Sequence, residues 1–479
     1  MLADHDHHLT LNIEHTVRMY SSISLLLSTN TERDTNILYF GMKLPADSVY
    51  ILELADLLKS EPLPKELEVT ILPFDEEDDA ETSSFMKEGV HLGIHAPNVP
   101  KLVREFRQVY YSSRNAAFES IDGENQNVVD KLMDCISCLL LLCPDHATAW
   151  ADRRRVLLKR ESCRTKQGDE FPARVLFWKA ELGYMNMLFT QHSKAPNAWG
   201  HRRWVCRQIL ALLSLENFSS QERWQPSEDF IEWATLEIAV CSVIGEKFSK
   251  NYYAWTHRSF VIRTIANVMN SNMCTNDANV ACREDMKSML ETEADCTMMW
   301  LRRHVSDHSA AHYGGEALSI WLEVGQDMNT CTRIDTCSSN SKMQWKIGIL
   351  NVKLQESCAL IEKFSSHEVI WTWRRILSHL FLACCNSHSS KEALSFLKRE
   401  IVFAQSFSDE SSARTCSIDK QETDMQQQFS LAYIVWLLKD AREYNLDLTS
   451  LMDEIDVVKE RVKKMQLFLI PKGIAQIIE

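Results

Sequence analysis

Apolar residues recur through the middle of this chain at helical spacing. Leu132, Ile136, Leu139 and Cys143 step by four, three and four. Trp178, Leu182, Met185 and Phe189 obey the same rule, and Ile231, Ala234, Ile238, Cys241, Ile244 and Phe248 extend it. A stripe of this kind is one buried face of an amphipathic helix. After each stripe comes a short polar break and then a second helix start. The pattern predicts helix pairs laid side by side.

The second helix of each pair opens on one motif, written several times. Residues 145–156 read Asp-His-Ala-Thr-Ala-Trp-Ala-Asp-Arg-Arg-Arg-Val, and residues 194–205 read Lys-Ala-Pro-Asn-Ala-Trp-Gly-His-Arg-Arg-Trp-Val. Residues 250–261 read Lys-Asn-Tyr-Tyr-Ala-Trp-Thr-His-Arg-Ser-Phe-Val, and 367–376 read His-Glu-Val-Ile-Trp-Thr-Trp-Arg-Arg-Ile. A degraded copy lies around 308–318, with His312 expected at the Trp position and Gly314-Gly315 at the Arg positions. The key positions 150, 199, 255, 312 and 371 stand 49, 56, 57 and 59 residues apart. Internal repetition at such a period signals a solenoid.

Asn251 stands four residues before Trp255, a fitting N-cap, and Pro196 falls where the first turn tolerates proline. Trp and Arg three or four residues apart share a helix face. Trp150, Trp199, Trp255 and Trp371 are therefore expected between helices. Arg202, Arg203, Arg258 and Arg374 are expected to pair with carboxylates or carbonyls of the adjacent repeat. The fold expected from periodicity is all-α, an α-solenoid of antiparallel helix pairs. The Trp and Arg residues hold it together and do no chemistry.

Around the array the chain divides into a divergent N-terminal segment (1–95), the helical repeats (96–445) and a C-terminal tail (446–479). Helices are expected near Ile13–Leu27, Asp47–Leu58 and from Pro97 onward. Glu68–Leu72 is a short apolar run, and Asp75–Asp79 an acidic, solvated loop. Residues 326–345 read as a polar loop insertion, and 406–428 as a disordered segment ahead of a helix starting at Phe429.

Composition narrows the function. The chain has 479 residues, 45% of them hydrophobic and 25% charged, with only 13 Gly and 11 Pro, as suits a helical globular protein. A net charge of −14 disfavours a nucleic-acid binder. No apolar run has the length of a membrane span. The N-terminal sequence lacks signal-peptide features, and the chain does not end in a Cys-a-a-X box. The 15 Cys are scattered over apolar helix faces and read as reduced, buried small hydrophobes of a cytoplasmic protein. Cys135-x-x-Cys138 has no second pair at zinc spacing, and the His5/His7/His8 cluster reads as an acidic, histidine-rich terminus.

The Asn-x-x-x-Trp-x-x-Arg helix start resembles the protein prenyltransferase alpha-subunit repeat, over roughly residues 125–440. Two stretches, His304–Tyr313 and His367–Arg375, are similar to a divergent branch of that family. The resemblance implies an alpha-type subunit of a heterodimeric prenyltransferase that carries geranylgeranyl groups to protein cysteines. It implies a beta subunit of the Rab geranylgeranyltransferase type as partner. Prenyl diphosphate and protein substrate would be met through that complex. Zinc and most of the active site would lie on the beta subunit, with no cofactor or metal held by this chain.

In the family a Lys five residues before the Trp points at the diphosphate. That position is Lys194 in the second repeat and Lys250 in the third. A Tyr three before the Trp is kept as Tyr252 and replaced by Pro196. Helix N-termini suit an anion, so the resemblance gives these three residues supporting roles. The residue-level alternative makes both lysines ordinary surface groups. His201 and His257, two after the Trp, are expected to hydrogen-bond within the turn. No Ser/His/Asp spacing, phosphate loop or GxGxxG is present. The competing function is a non-enzymatic helical-repeat scaffold for protein–protein interaction.

Overall fold

A computed structural model describes residues 49–59, 67–73, 84–119, 126–216, 228–270, 277–325, 339–386, 390–408 and 420–465. The expected helix at 13–27, the acidic run 75–79 and the His5/His7/His8 cluster lie outside them. The chain forms two compact units. One comprises 1–224 with 235–248, the other 225–234 with 249–479.

The first unit begins with helix α1 (Val49–Lys59) and a small sheet of β1 (Glu68–Leu72), β2 (Phe85–Glu88) and β3 (His91–His95). Strand order is β1-β3-β2, with β1 parallel and β2 antiparallel to β3. In β1 the three consecutive β-branched residues Val69, Thr70 and Ile71 favour the extended strand. Val69, Phe85, Leu92 and Ile94 are buried. The backbone N–H of Val69 donates to Thr190 Oγ1 at 2.9 Å, and Lys247 Nζ meets Glu68 at 2.7 Å. The sheet is thus tied to the helices of its own unit.

Helix α2 (Val99–Glu119) then leads into the pairs α3 (Gln126–Leu142) with α4 (Ala147–Gln167), and α5 (Phe171–Gln191) with α6 (Pro196–Glu216). Helix α7 (Glu228–Lys247) supplies its C-terminal part to this unit. The second unit holds α8 (Tyr252–Asn270), α9 (Asp277–Arg303), α10 (His308–Val324), α11 (Ser339–Phe364), α12 (Glu368–Asn386), α13 (Ser390–Gln405), α14 (Lys420–Glu443) and α15 (Met452–Met465). The array is all-α in the solenoid manner, each helix pair stacked on the next within its unit.

Caps start the second helices as chemistry requires. His146 Nδ1 accepts from Ala149 N–H at 3.1 Å, Asn251 Oδ1 from Ala254 N–H at 3.2 Å, and Asp307 Oδ1 from Ser309 and Ala310. The helices begin at Ala147, Pro196, Tyr252, His308 and Glu368, so the Trp is always three residues inside. This register corrects one expectation: the Trp position of the degraded repeat is Ala311, not His312. Ala311 is buried, whereas His312 is exposed. The buried N-cap Asp307 fixes the count.

Two further boundaries move. Residues 339–345, expected in a loop, are the first turns of α11, and 420–428, expected to be disordered, open α14. A run of polar residues suits the solvent face of a long helix as well as a loop, and composition does not distinguish the two.

Candidate functional site

The motif builds a repeated clamp. Trp150, Trp199, Trp255 and Trp371 are all buried, between 0% and 5% exposed. Three indoles lock the turn before their helix. Trp150 donates to Pro144 O at 2.7 Å, Trp199 to Ser193 O at 2.8 Å and Trp371 to Ser365 O at 2.8 Å. Trp255 donates instead to Asp307 Oδ2 at 3.2 Å.

The Arg three residues after each Trp is buried and bidentate on a glutamate. Arg153 takes Glu181 at 2.6 and 2.8 Å, and Arg202 takes Glu237 at 2.8 and 2.7 Å. Arg258 takes Glu293 at 2.6 and 2.8 Å, and Arg374 takes Glu400 at 2.7 and 2.9 Å. The other guanidinium nitrogen reaches the first helix of the arginine's own pair. Its acceptor is Ser137 for Arg153, Asn186 for Arg202 and Ser357 for Arg374. One side chain therefore staples two neighbouring pairs. The clamp uses Arg202; Arg203, the next residue, is half-buried beside it.

Three of the glutamates also take a second donor, which for Glu181 and Glu293 stands two residues past the Trp position of their own pair. His201 Nε2 lies 2.7 Å from Glu181, and the Tyr313 hydroxyl donates to Glu293. The Tyr433 hydroxyl donates to Glu400 at 2.5 Å. Burial by itself would raise the Glu181 carboxyl. The Arg153 charge and the His201 hydrogen bond overcome it and hold the group at about 2. Burial pushes His201 down, so it donates as a neutral ring, with Nδ1 3.4 Å from Arg154 Nε. Burial likewise pushes the Tyr313 and Tyr433 phenols well up. None of these groups is poised to exchange protons with a substrate near neutrality; their chemistry is cohesion.

The sequence signal for the acid was present and unused. Glu181 stands 18 residues before Trp199, Glu237 18 before Trp255 and Glu293 18 before Ala311. Glu400, on α13, follows no Trp-based count.

The residues expected to meet the diphosphate sit outside the clamps. Lys194 is exposed in the turn before α6, which closes by Ala195 N–H on His192 O at 3.2 Å. Asn197 Nδ2 reaches Asp145 O of the preceding turn at 3.2 Å, so consecutive turns of this unit adjoin. In the second unit, Lys250 is exposed and left-handed, with φ 56°, just ahead of the Asn251 cap. Tyr252 is 63% exposed at the start of α8, its ring centroid 5.6 Å from that of Tyr253. These ammonium and phenol groups stand exposed on turns closed by backbone and cap hydrogen bonds. They can approach an anion presented from outside.

The cysteine pair is inert. Cys135 and Cys138 are buried and point to different carbonyls, Phe106 O at 3.5 Å and Ile51 O at 3.8 Å. Burial pushes the Cys135 thiol up to about 12, which keeps it protonated. Among the described residues, no helix is long and apolar enough to cross a membrane.

Comparison with known proteins agrees with this geometry. The family described as protein prenyltransferase alpha subunit repeat matches residues 178–209 and 235–265. Those segments carry Trp199, Arg202, Glu237, Trp255 and Arg258. The chain is 28% identical to the human protein prenyltransferase alpha subunit repeat-containing protein 1 over 269 residues, 52% of this chain and 59% of the relative. The zebrafish (Danio rerio) protein of that name is 26% identical over 266 residues, 53% of this chain and 55% of the relative. A geranylgeranyl transferase type-2 subunit alpha from Mus musculus is 29% identical over 162 residues, 34% of this chain and 24% of that protein. The chain thus spans little more than half the length of the first of these relatives. The two matched segments hold the clamp residues of the helix pairs built on Trp199 and Trp255, which thus match the protein prenyltransferase alpha-subunit repeat.

Proposed function

We propose that this chain is the alpha-type, mainly structural subunit of a heterodimeric protein prenyltransferase acting in the cytoplasm, with geranylgeranyl transfer to protein cysteines as the reaction. The observation that carries the reading is a division of labour within the repeat. Trp and Arg are consumed by packing, while Lys194, Lys250 and Tyr252 stand exposed on turns closed by hydrogen bonds. The similarity to a type-2 geranylgeranyl transferase alpha subunit supports the choice of lipid and of a Rab-type beta subunit as partner. That partner would bring zinc, the prenyl diphosphate and the protein thiol.

In such a complex the departing diphosphate gains negative charge as the carbon–oxygen bond breaks. An ammonium fixed beside it favours the transition state over the ground state. Lys194→Ala should then lower single-turnover transfer by the reconstituted complex roughly 10- to 1000-fold. Complex formation should be unchanged, since Lys194 lies outside every clamp.

The test is co-expression with a geranylgeranyltransferase beta subunit, followed by size exclusion with light scattering and a labelled-lipid transfer assay. A one-to-one complex with activity absent from either chain alone is the expected result. Two separate species at micromolar concentration would leave the helical-repeat scaffold. A complex in which wild type, Lys194→Ala and Lys250→Ala transfer equally fast would confine this subunit to structure.

A further inference from the structure

We draw no further inference here: the strongest candidate, the open cleft between α11 and α13 where Lys391 and Arg399 stand beside Glu392, carries both signs of charge, and nothing in the structure shows what fills it.

Discussion

Within the second unit, the joint between α8 and α9 and the joint between α10 and α11 begin from the same repeat position and end differently. At the first, Arg258 crosses to Glu293, the Tyr313 hydroxyl completes the acid, and Trp255 packs against Trp300 and Tyr313 with centroids 5.0 and 5.2 Å away. At the second, the Trp position is Ala311 and the Arg position Gly314. The hydroxyl that would have received the arginine, Thr297 Oγ1, is buried without a hydrogen-bond partner. The acid position, 18 before Trp371, is Lys353, which turns to Asp295 at 2.6 Å and Glu356 at 3.4 Å.

The three changes are coherent. A buried glutamate without its arginine would be an unpaired charge, which costs several kcal/mol. Replacing it with Lys353, whose stem lies in the interior and whose head reaches exposed acids, removes that charge. Close approach takes over from ionic stapling. A Cβ on Gly314 would lie 2.2 Å from Thr297 Oγ1, and one on Gly315 2.5 Å from Ile376 Cγ2. The same fold thus tolerates an ionic joint or a small-residue joint, but each half of either solution requires the other.

The contrast can be broken most severely at the ionic joint. Arg258→Met should destabilise by about 3–5 kcal/mol in denaturant titrations, because Glu293 is left buried and unpaired. Arg258→Met with Glu293→Leu should recover most of that loss. Additive losses in the double variant would mean that packing, not charge, dominates.

The small-residue joint should break by crowding. Gly314→Ala should cost about 1–3 kcal/mol, since Thr297 or the helix backbone must move. A Gly314→Ala variant that melts with the wild type would show that the helices can separate freely.

Acid sharpens the ionic side in the first unit. Glu181, held at about 2 against an ordinary 4.5, contributes fully above 4.5 and loses that contribution as pH falls toward 2. His201 is lowered from 6.5, so the unfolded chain takes up its proton first, and stability falls as pH drops below 6.5. Both act in the acid direction. His201→Gln keeps a donor for Glu181 and should flatten the stability loss between pH 7 and pH 5. Parallel pH profiles for the two proteins would remove His201 from the clamp's energetics.

The smallest effect tests the register itself. His312→Ala, at an exposed position, should change stability by less than about 0.5 kcal/mol. A loss of several kcal/mol would restore His312 to the Trp position and move the whole joint by one residue.

The sequence by itself determined the period, the pairing of helices and the burial of Trp150, Trp199, Trp255 and Trp371. Those follow from apolar spacing and caps, which are local. It also said that the arginines would find partners, and a count of 18 back from Trp199 and Trp255 names two of the glutamates, Glu181 and Glu237. Tertiary structure decided the rest. Adjacent arginines point about 100° apart on a helix, so which of the two enters the clamp is fixed only when the neighbouring pair packs. In the fourth repeat the aromatic ring of His312 imitates the Trp by pattern, whereas the N-cap Asp307 sets the helix start and puts Ala311 at that position. The sheet escaped notice because its strands are short and are held by Thr190 and Lys247, more than a hundred residues away in sequence. The lysine at 353 reads as an ordinary surface charge until Gly314, from another helix, explains why no glutamate can stand there.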